Sequence, residues 1–402
     1  MAGDKIPGAV GELRSVQGLV PRSVIFSIAL WFAFAPAARA VESFSVPVAI
    51  VDGYVIVDVK INGAGPFHFM FDSGAGLVLL RSTAEILSLP TSDGVEASGD
   101  GEKTVRFRRT SIARLALGGF EARALPAAVM PDDDAVAVFG RYPFSGFIGA
   151  PLLSGFAVRL DYVHKTLTFT PADTFSYSGQ GTVLPLENGH IAASLDGNQI
   201  FFFVDTGTVP GLTIGTIASE RLDLAQRYHA GPVVVSDWGL GGAVRSRFAH
   251  ARLFQLGEIE IAEPLLRLSI QKAGALAADE GRLGYGALAR FDVTFDKPHA
   301  RLILEKNADF ARPETADRSG MWIGPGGESF RVVDVLPGGP ADAAGLKTGD
   351  TILAIDGVST ADLALPRVRE KFEREPEGTK VELRVRRGSR TRACVLTLRD
   401  LI

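Results

Sequence analysis

Cysteine is almost missing from this 402-residue chain: Cys394 is the single one. That excludes an internal disulfide and any cysteine-built metal site. Charge of one sign is missing too. Lys and Arg total 42 against 46 Asp and Glu, for a net charge of −4, which leaves no electrostatic footprint for nucleic acid or an anionic membrane surface. Long apolar runs are scarce. The longest, "SVIFSIALWFAFA" at 23–35, falls short of the roughly 20 residues that a membrane span needs. The six histidines are scattered, and no His-Glu-x-x-His occurs, which argues against a zinc hydrolase. No Gly-x-Ser-x-Gly elbow and no glycine-rich phosphate loop is found. No metal and no cofactor is expected.

The N-terminal run has a targeting layout. Arg14 and Arg22 precede it, and Ala38-Arg39-Ala40 follows as a small-x-small cleavage site. Residues 1–40 therefore read as a secretory signal peptide, with an uncleaved N-terminal membrane anchor as the alternative. Export without disulfides favours a bacterial periplasm as the destination.

What the chain does contain is glycine, 45 residues of it, between short apolar runs, the pattern of a mostly β protein. The middle of the chain reads as one unit written twice. Three landmarks recur in order: "FHFMFDSGA" (67–75) with "IFFFVDTGT" (200–208), "ARLALGGFEA" (113–122) with "ARLFQLGEIEIA" (251–262), and "FIGAPLLSGFAVRLDY" (147–162) with "RLGYGALARFDVTFDK" (282–297). Their shifts are about 133, 139 and 135 residues, so a duplicated unit of about 135 residues is expected. Asp52-Gly53 and Asn62-Gly63 in the first copy, and Asn188-Gly189 and Asp196-Gly197 in the second, are two-residue hairpin signals. A short helix is expected after each Asp-Ser/Thr-Gly. The polar stretch 307–320 reads as a linker.

Asp-Ser-Gly alone is turn chemistry. Here each copy ends an apolar run, and a fold with an internal two-fold axis can bring equivalent residues together there. Asp72 and Asp205 would then face one another. Two carboxylates so close cannot both ionise easily, and they would share a proton. One would act as general base on a water; the other, protonated, would hydrogen-bond a substrate carbonyl. Ser73 and Thr206 would bond across to the opposite loop. Gly74 and Gly207 would allow the tight turn and bare N–H groups that donate to the carboxylates.

These motifs resemble the aspartic peptidases of the retropepsin and pepsin type, in a fused two-lobe, single-chain form. The resemblance covers about 270 residues, with "MFDSGA" (70–75) and "FVDTGT" (203–208) as the paired active-site motifs. The family's apolar-apolar-Gly motif is met at Phe147-Ile148-Gly149. At 282–284 Arg282 takes the first apolar place, a departure expected to leave Asp205 untouched. The resemblance implies cleft-closing flaps at 97–107, with Gly99 and Gly101 at the tip, and at 236–246, where Trp238, Gly239 and Leu240 would approach substrate. Most of the 25 phenylalanines are expected in the core.

Residues 330–359, "FRVVDVLPGGPADAAGLKTGDTILAIDGVS", closely resemble the PDZ domain in the circular arrangement common in bacterial proteases. Such a domain takes up an extended peptide as an added strand. Gly320, Met321, Trp322 and Ile323 would form its carboxylate loop, with Leu363 or Val368 lining a side-chain pocket; an internal spacer or docking surface is the alternative. The resemblances imply two homologous β-barrel-like aspartic-peptidase lobes, 41–175 and 176–312, a linker 313–319 and a small α+β PDZ domain, 320–402. The function they imply is an exported aspartic endopeptidase acting on polypeptides, with the PDZ domain binding peptide C-termini or internal segments. The alternative is a catalytically inactive peptide-binding scaffold that keeps both folds. A monomer is expected, because the repeat supplies both halves of the site.

Overall fold

The computed structural model describes residues 42–401; the signal-type segment lies outside them. Among the described residues no helix is long and apolar enough to cross a membrane.

The four Asx-Gly pairs singled out as hairpin signals fold as turns with both residues in the left-handed region: Asp52 (φ 51°) and Gly53 (84°), Asn62 (53°) and Gly63 (87°), Asn188 (51°) and Gly189 (83°), Asp196 (47°) and Gly197 (83°). That geometry suits the twist of the strands on either side. It launches Tyr54–Ile61 into Ala64–Phe71 in the first copy and His190–Leu195 into Asn198–Val204 in the second.

The two copies then repeat one topology. Ala64–Phe71 pairs in parallel with Phe144–Ile148, which runs antiparallel to Leu77–Leu80, which is parallel to Phe120–Met130. In the second copy Asn198–Val204, Gly281–Leu283, Leu212–Ile214 and Leu265–Ser269 pair in the same order and senses. The helices expected after each Asp-Ser/Thr-Gly are present, as Arg81–Ile86 and Thr216–Arg221. One difference is structural. The long hairpin Arg108–Leu117 and Phe120–Met130 of the first copy is continuous, whereas its counterpart is split into Gly242–His250, Leu253–Leu256, Ile259–Ala262 and Leu265–Ser269.

A six-stranded antiparallel sheet joins the copies. Phe44–Pro47, Thr166–Pro171 and Phe156–Asp161 come from the first, and Phe291–Asp296, Arg301–Lys306 and Thr182–Pro185 from the second. Its inner face carries Val158, Leu160, Phe169, Val293 and Phe295, all at most 1% exposed. One apolar core thus runs through both lobes. Phe71, immediately before Asp72, packs edge-on against Phe295 at 6.1 Å between centroids, so the catalytic-type loop of one copy rests on the closing hairpin of the other.

The C-terminal unit has its own core, built from Phe330, Val332, Ile352, Phe372, Val381 and Val385 among others. Strands Met321–Gly326, Ser329–Val335, Thr351–Ile355, Lys380–Arg387 and Arg390–Thr397 form its sheet, with helix Leu365–Arg374 against it. The stretch expected to be a linker has no regular structure but is bolted down. Glu314 accepts from Arg267 Nη1 at 2.6 Å and from the Gly211 N–H at 2.9 Å, and Arg318 donates to the carbonyls of Glu373 and Glu375.

Candidate active site

Asp72 and Asp205 each follow the last residue of a buried strand, and each strand is clamped by its parallel partner. The Asp72 N–H donates to the Ile148 carbonyl at 3.0 Å and the Asp205 N–H to the Leu283 carbonyl at 2.9 Å. The second motif of each copy therefore fixes where the first motif's carboxylate emerges.

Across the lobe boundary, the two loops hold each other by reciprocal bonds. The Ser73 N–H donates to Thr206 Oγ1 (2.9 Å), whose hydroxyl donates to the Phe71 carbonyl (2.8 Å). In mirror image, the Thr206 N–H donates to Ser73 Oγ (3.2 Å), which donates to the Val204 carbonyl (2.8 Å). Ser73 and Thr206 are 3% and 1% exposed, so these bonds form away from competing water.

Each carboxylate also receives its own loop's N–H groups. Gly74 and Ala75 donate to Asp72 Oδ1 at 2.8 and 3.1 Å, and Gly207 donates to Asp205 Oδ1 at 2.9 Å. The loops pack too closely for a side chain at 207. A Cβ there would lie 2.6 Å from Asp72 Oδ2 and 3.1 Å from Asp205 Oδ1, so both carboxylates border the same residue. Burial and the facing Asp205 push the Asp72 carboxyl up to about 7, against the pull of the Gly74 and Ala75 N–H groups and of Arg282. Burial also raises Asp205, and Arg282 pulls it back. The pair holds a proton well above the ordinary carboxylate range, as two buried like charges must.

Above the pair lies a cleft of about 200 Å³, open to solvent, with Met70, Phe107, Met130, Phe139, Phe147 and Trp238 on its apolar walls. Four phenylalanines (107, 139, 147 and 203) thus belong to the cleft, while Phe69, Phe71, Phe169, Phe202, Phe254, Phe291 and Phe295 are fully buried. Both glycine-rich segments are hairpins that meet over it. Glu96–Ala97 pairs with Val105–Arg106, and Val233–Gly239 with Gly242–His250. The Gly101 N–H donates to the Leu240 carbonyl at 3.0 Å and the Lys103 N–H to the Gly241 carbonyl at 3.1 Å. Gly99, Trp238, Gly239 and Leu240 all border the cleft; Gly101 sits in the contact between the two tips.

One expectation fails here. Arg282 does not leave Asp205 untouched: its Nη1 donates to Asp205 Oδ2 at 3.3 Å. The sequence motif marks this place as apolar, and only the register of Gly281–Leu283 beside Asn198–Val204 shows that its side chain points at the carboxylate.

Helix Asp133–Phe139, which the repeat comparison missed, joins the cleft to the C-terminal unit. "PDDDAVAVF" at 131–139 carries its own start signal, a proline and three acids. Asp134 accepts from Trp238 Nε1 (3.1 Å) and the Gly241 N–H (2.9 Å), gripping the second flap. At the helix's other end, Arg369 of the C-terminal unit donates to the carbonyls of Val138 (2.9 Å) and Ala137 (3.0 Å). The same guanidinium donates to the Ile323 carbonyl at 2.7 Å and lies 4.4 Å from the Trp322 ring centroid. The expected carboxylate loop is not a loop: only Gly320 precedes the first strand, and Met321, Trp322 and Ile323 are its first three residues, paired with Val335, Asp334 and Val332. The Ser319 N–H donates to Asp317 at 2.7 Å, and the Met321 N–H to Ser319 Oγ at 3.2 Å. Gly320, Met321 and Trp322 border a second cavity between this unit and the lobes, opposite Val234, Val235 and Asp237. Val368 is a core residue of the C-terminal unit, and the partly buried Leu363 packs against that core. Among the described residues no cluster of His, Cys, Asp or Glu is arranged to hold a metal ion.

Residues 57–151 match the family model for aspartyl proteases, and residues 331–387 match the model for the PDZ domain. The first stretch includes Asp72 and stops before Asp205; the kinship of the second lobe rests on the repeated topology. Among curated proteins, a carboxyl-terminal-processing protease of Synechocystis sp. is 35% identical over 106 residues, 25% of this chain and 25% of that protein. The chloroplastic carboxyl-terminal-processing peptidase 2 of Arabidopsis thaliana is 41% identical over 66 residues, 16% of this chain and 13% of that protein. The chain thus spans a quarter or less of the length of these two relatives. Among solved structures, an aspartic proteinase from Irpex lacteus superposes at 14% identity with a TM-score of 0.44, covering 67% of this chain and 99% of that one.

Proposed function

We propose that this chain, which carries an aspartyl-protease segment and a C-terminal PDZ domain, is an exported aspartic endopeptidase that cleaves polypeptide with Asp72 and Asp205. The observation that supports this most is the reciprocal Ser73–Thr206 bonding, which brings two equivalent carboxylates to one cleft floor. The ionised member of the pair takes a proton from a bound water. The water oxygen attacks the peptide carbonyl carbon, and the carbonyl oxygen takes the proton held by the other carboxyl, giving a gem-diol. On collapse the first carboxyl passes its proton to the leaving amine nitrogen, and a diol hydroxyl returns one to the second. The enzyme is regenerated with no metal and no covalent intermediate. Export to the periplasm, with anchoring by an uncleaved signal as the alternative, rests on the N-terminal layout alone.

The test uses the purified full chain on an unfolded fluorogenic casein, with and without a statine-type transition-state mimic. Asp72→Asn and Asp205→Asn should each abolish mimic-sensitive cleavage, and undiminished cleavage by either variant sinks the reading. Activity should fall as pH rises past about 7, where Asp72 loses its proton. One observation favours the second reading, a peptide-binding protein without turnover: a guanidinium touches one carboxylate of the pair. That reading predicts peptide affinity and no cleavage at any pH from about 3 to 8.

A further inference from the structure

Arg282 occupies the place that Phe147 holds in the first copy. Phe147 lies opposite Met70 across the parallel ladder, and Arg282 lies opposite Phe203. The exchange buries a cation, 7% exposed, beneath the cleft. Its guanidinium is shared among three carboxylates: Nε donates to Asp100 Oδ1 at 2.7 Å, Nη1 to Asp205 Oδ2 at 3.3 Å, and Nη2 lies 3.1 Å from Asp279 Oδ2. The Phe203 ring sits 5.0 Å away and holds it from one side.

Two features make this more than a structural ion pair. First, it divides the pair unequally. Asp205 bonds a cation directly, whereas Asp72 bonds only N–H groups of its own loop; the nearby Lys297 ammonium donates to the Ser73 carbonyl at 3.1 Å. Second, Asp100 stands on the tip of the first-lobe flap. That tip is docked on the second lobe through Gly101 to Leu240, Lys103 to Gly241, Ala275 to Gly99 and Gln271 to Asp100. Lifting this tip to admit a polypeptide would take Asp100 away from the guanidinium.

We propose that Arg282 is a positioning residue that couples flap closure to the charge of the catalytic pair. It makes Asp205 the anionic member and leaves the shared proton on Asp72, and the docking of Asp100 on the same guanidinium tempers that bias. With the flap open, the charge of Arg282 falls on Asp205 and Asp279 alone, and Asp205 is a poor base. With the flap shut, Asp100 takes part of that charge and Asp205 regains the basicity to accept a proton from water. The general base is therefore at full strength when the cleft is closed. The inference rests on the reading of Asp72 and Asp205 as the catalytic pair. The charged groups that face this centre are Asp72, Asp100, Asp279 and Lys297, with Asp237 and His190 behind them.

The test titrates the carboxyl carbons of carbon-13-labelled aspartate in the full chain, with Asp72→Asn and Asp205→Asn to assign the pair, alongside the pH profile of kcat/KM on unfolded casein. An opposite charge at this range lowers an aspartate by about 1 to 3 units, so Arg282→Gln should raise the Asp205 transition by about 1 unit or more. The acid limb of kcat/KM should move with it, and Arg282→Lys should return most of the shift. Asp100→Asn should move both the other way, downward, because it unshields the guanidinium. An Asp205 transition that Arg282→Gln leaves unmoved, or that Asp100→Asn moves upward or not at all, overturns the proposal. If Arg282→Gln does not fold, the direction of the Asp100→Asn shift decides alone. If the chain cleaves nothing, the peptidase reading fails, and the titration still reports whether Arg282 sets the charge of Asp205.

Discussion

Replacing Thr206 by Val keeps the shape of the side chain and deletes one oxygen. That oxygen accepts the Ser73 N–H at 2.9 Å and donates to the Phe71 carbonyl at 2.8 Å. Both backbone groups sit where Thr206 is 1% exposed, so neither can turn to bulk water. A buried group left unpaired costs about 1 to 3 kcal/mol, so the two together should cost about 2 to 6 kcal/mol. For a cooperative unit as large as the two lobes, 1 kcal/mol moves Tm by about 2 °C, and a fall of about 4 to 12 °C follows. The loss acts across the lobe boundary, so the carboxylates should lose their mutual alignment, and kcat should fall more than the stability change alone explains. Thr206→Ser keeps the hydroxyl and should return most of both quantities. Scanning calorimetry and casein turnover at a temperature where every variant is folded read the two effects separately. If Thr206→Val melts within about 1 °C of the parent, the cross-loop bonds do not carry the load that buried hydrogen bonds carry elsewhere.

Two further perturbations probe the seam between the lobes and the C-terminal unit. Arg369→Ala removes the donor to the carbonyls of Ala137, Val138 and Ile323 and leaves the Glu314 strap and the Val235 to Asp334 bond, so the seam should loosen: the radius of gyration by small-angle scattering should rise slightly and 307–320 should be nicked faster by trypsin, and neither changing would refute the docking role. Asp237, at the same seam, is raised from the ordinary range to about 7 by burial, with the Trp238 N–H opposing and Asp100 adding to the shift. A carboxyl raised in the folded state is protonated there while the unfolded chain has already released its proton, so its contribution to stability is full below about pH 4 and is lost as pH rises through about 7. Tm should therefore decline over that window, and Asp237→Asn should flatten the decline; an unchanged profile refutes the assignment.

Local and repeated features were legible in the sequence, and the contacts between distant faces were not. The Asx-Gly turns at 52, 62, 188 and 196 could be read because each pair stands between two apolar runs, whereas Asp93-Gly94 and Asp100-Gly101, which do not, have no left-handed residue. The duplicated strand order could be read because its landmarks recur at a nearly fixed spacing, and the Asp72 and Asp205 loops could be placed because each ends a recognisable apolar strand. The docking of Arg369 on the end of helix Asp133–Phe139 joins residues more than 200 positions apart and follows from no local pattern. The grip of Asp134 on the flap, more than 100 positions away, likewise follows from no local pattern, nor does the pinning of Glu314, which turned an apparent linker into a fixed strap. In each case a polar side chain that reads as surface decoration is a buried bond across two units, and no periodicity signals it.

Arg282 is a different kind of miss, and it bears on how the site works. It was visible as a departure from an apolar motif, but a motif match weighs a departure only as a weaker likeness. In the fold, equivalent positions of a duplicated unit face one cleft, so a change in one copy alone breaks the symmetry of everything at the axis. The Ser73 and Thr206 bonds keep the two loops geometrically alike. Phe147 and Arg282 make their surroundings electrically unlike. A symmetric pair has no built-in reason for its proton to sit on one carboxyl, whereas hydrolysis needs one base and one acid on opposite sides of the scissile carbonyl. Duplication within a single chain permits that division of labour, because each copy can carry its own substitution. A homodimer assembled from one such lobe would have to place an arginine, or a phenylalanine, on both sides at once.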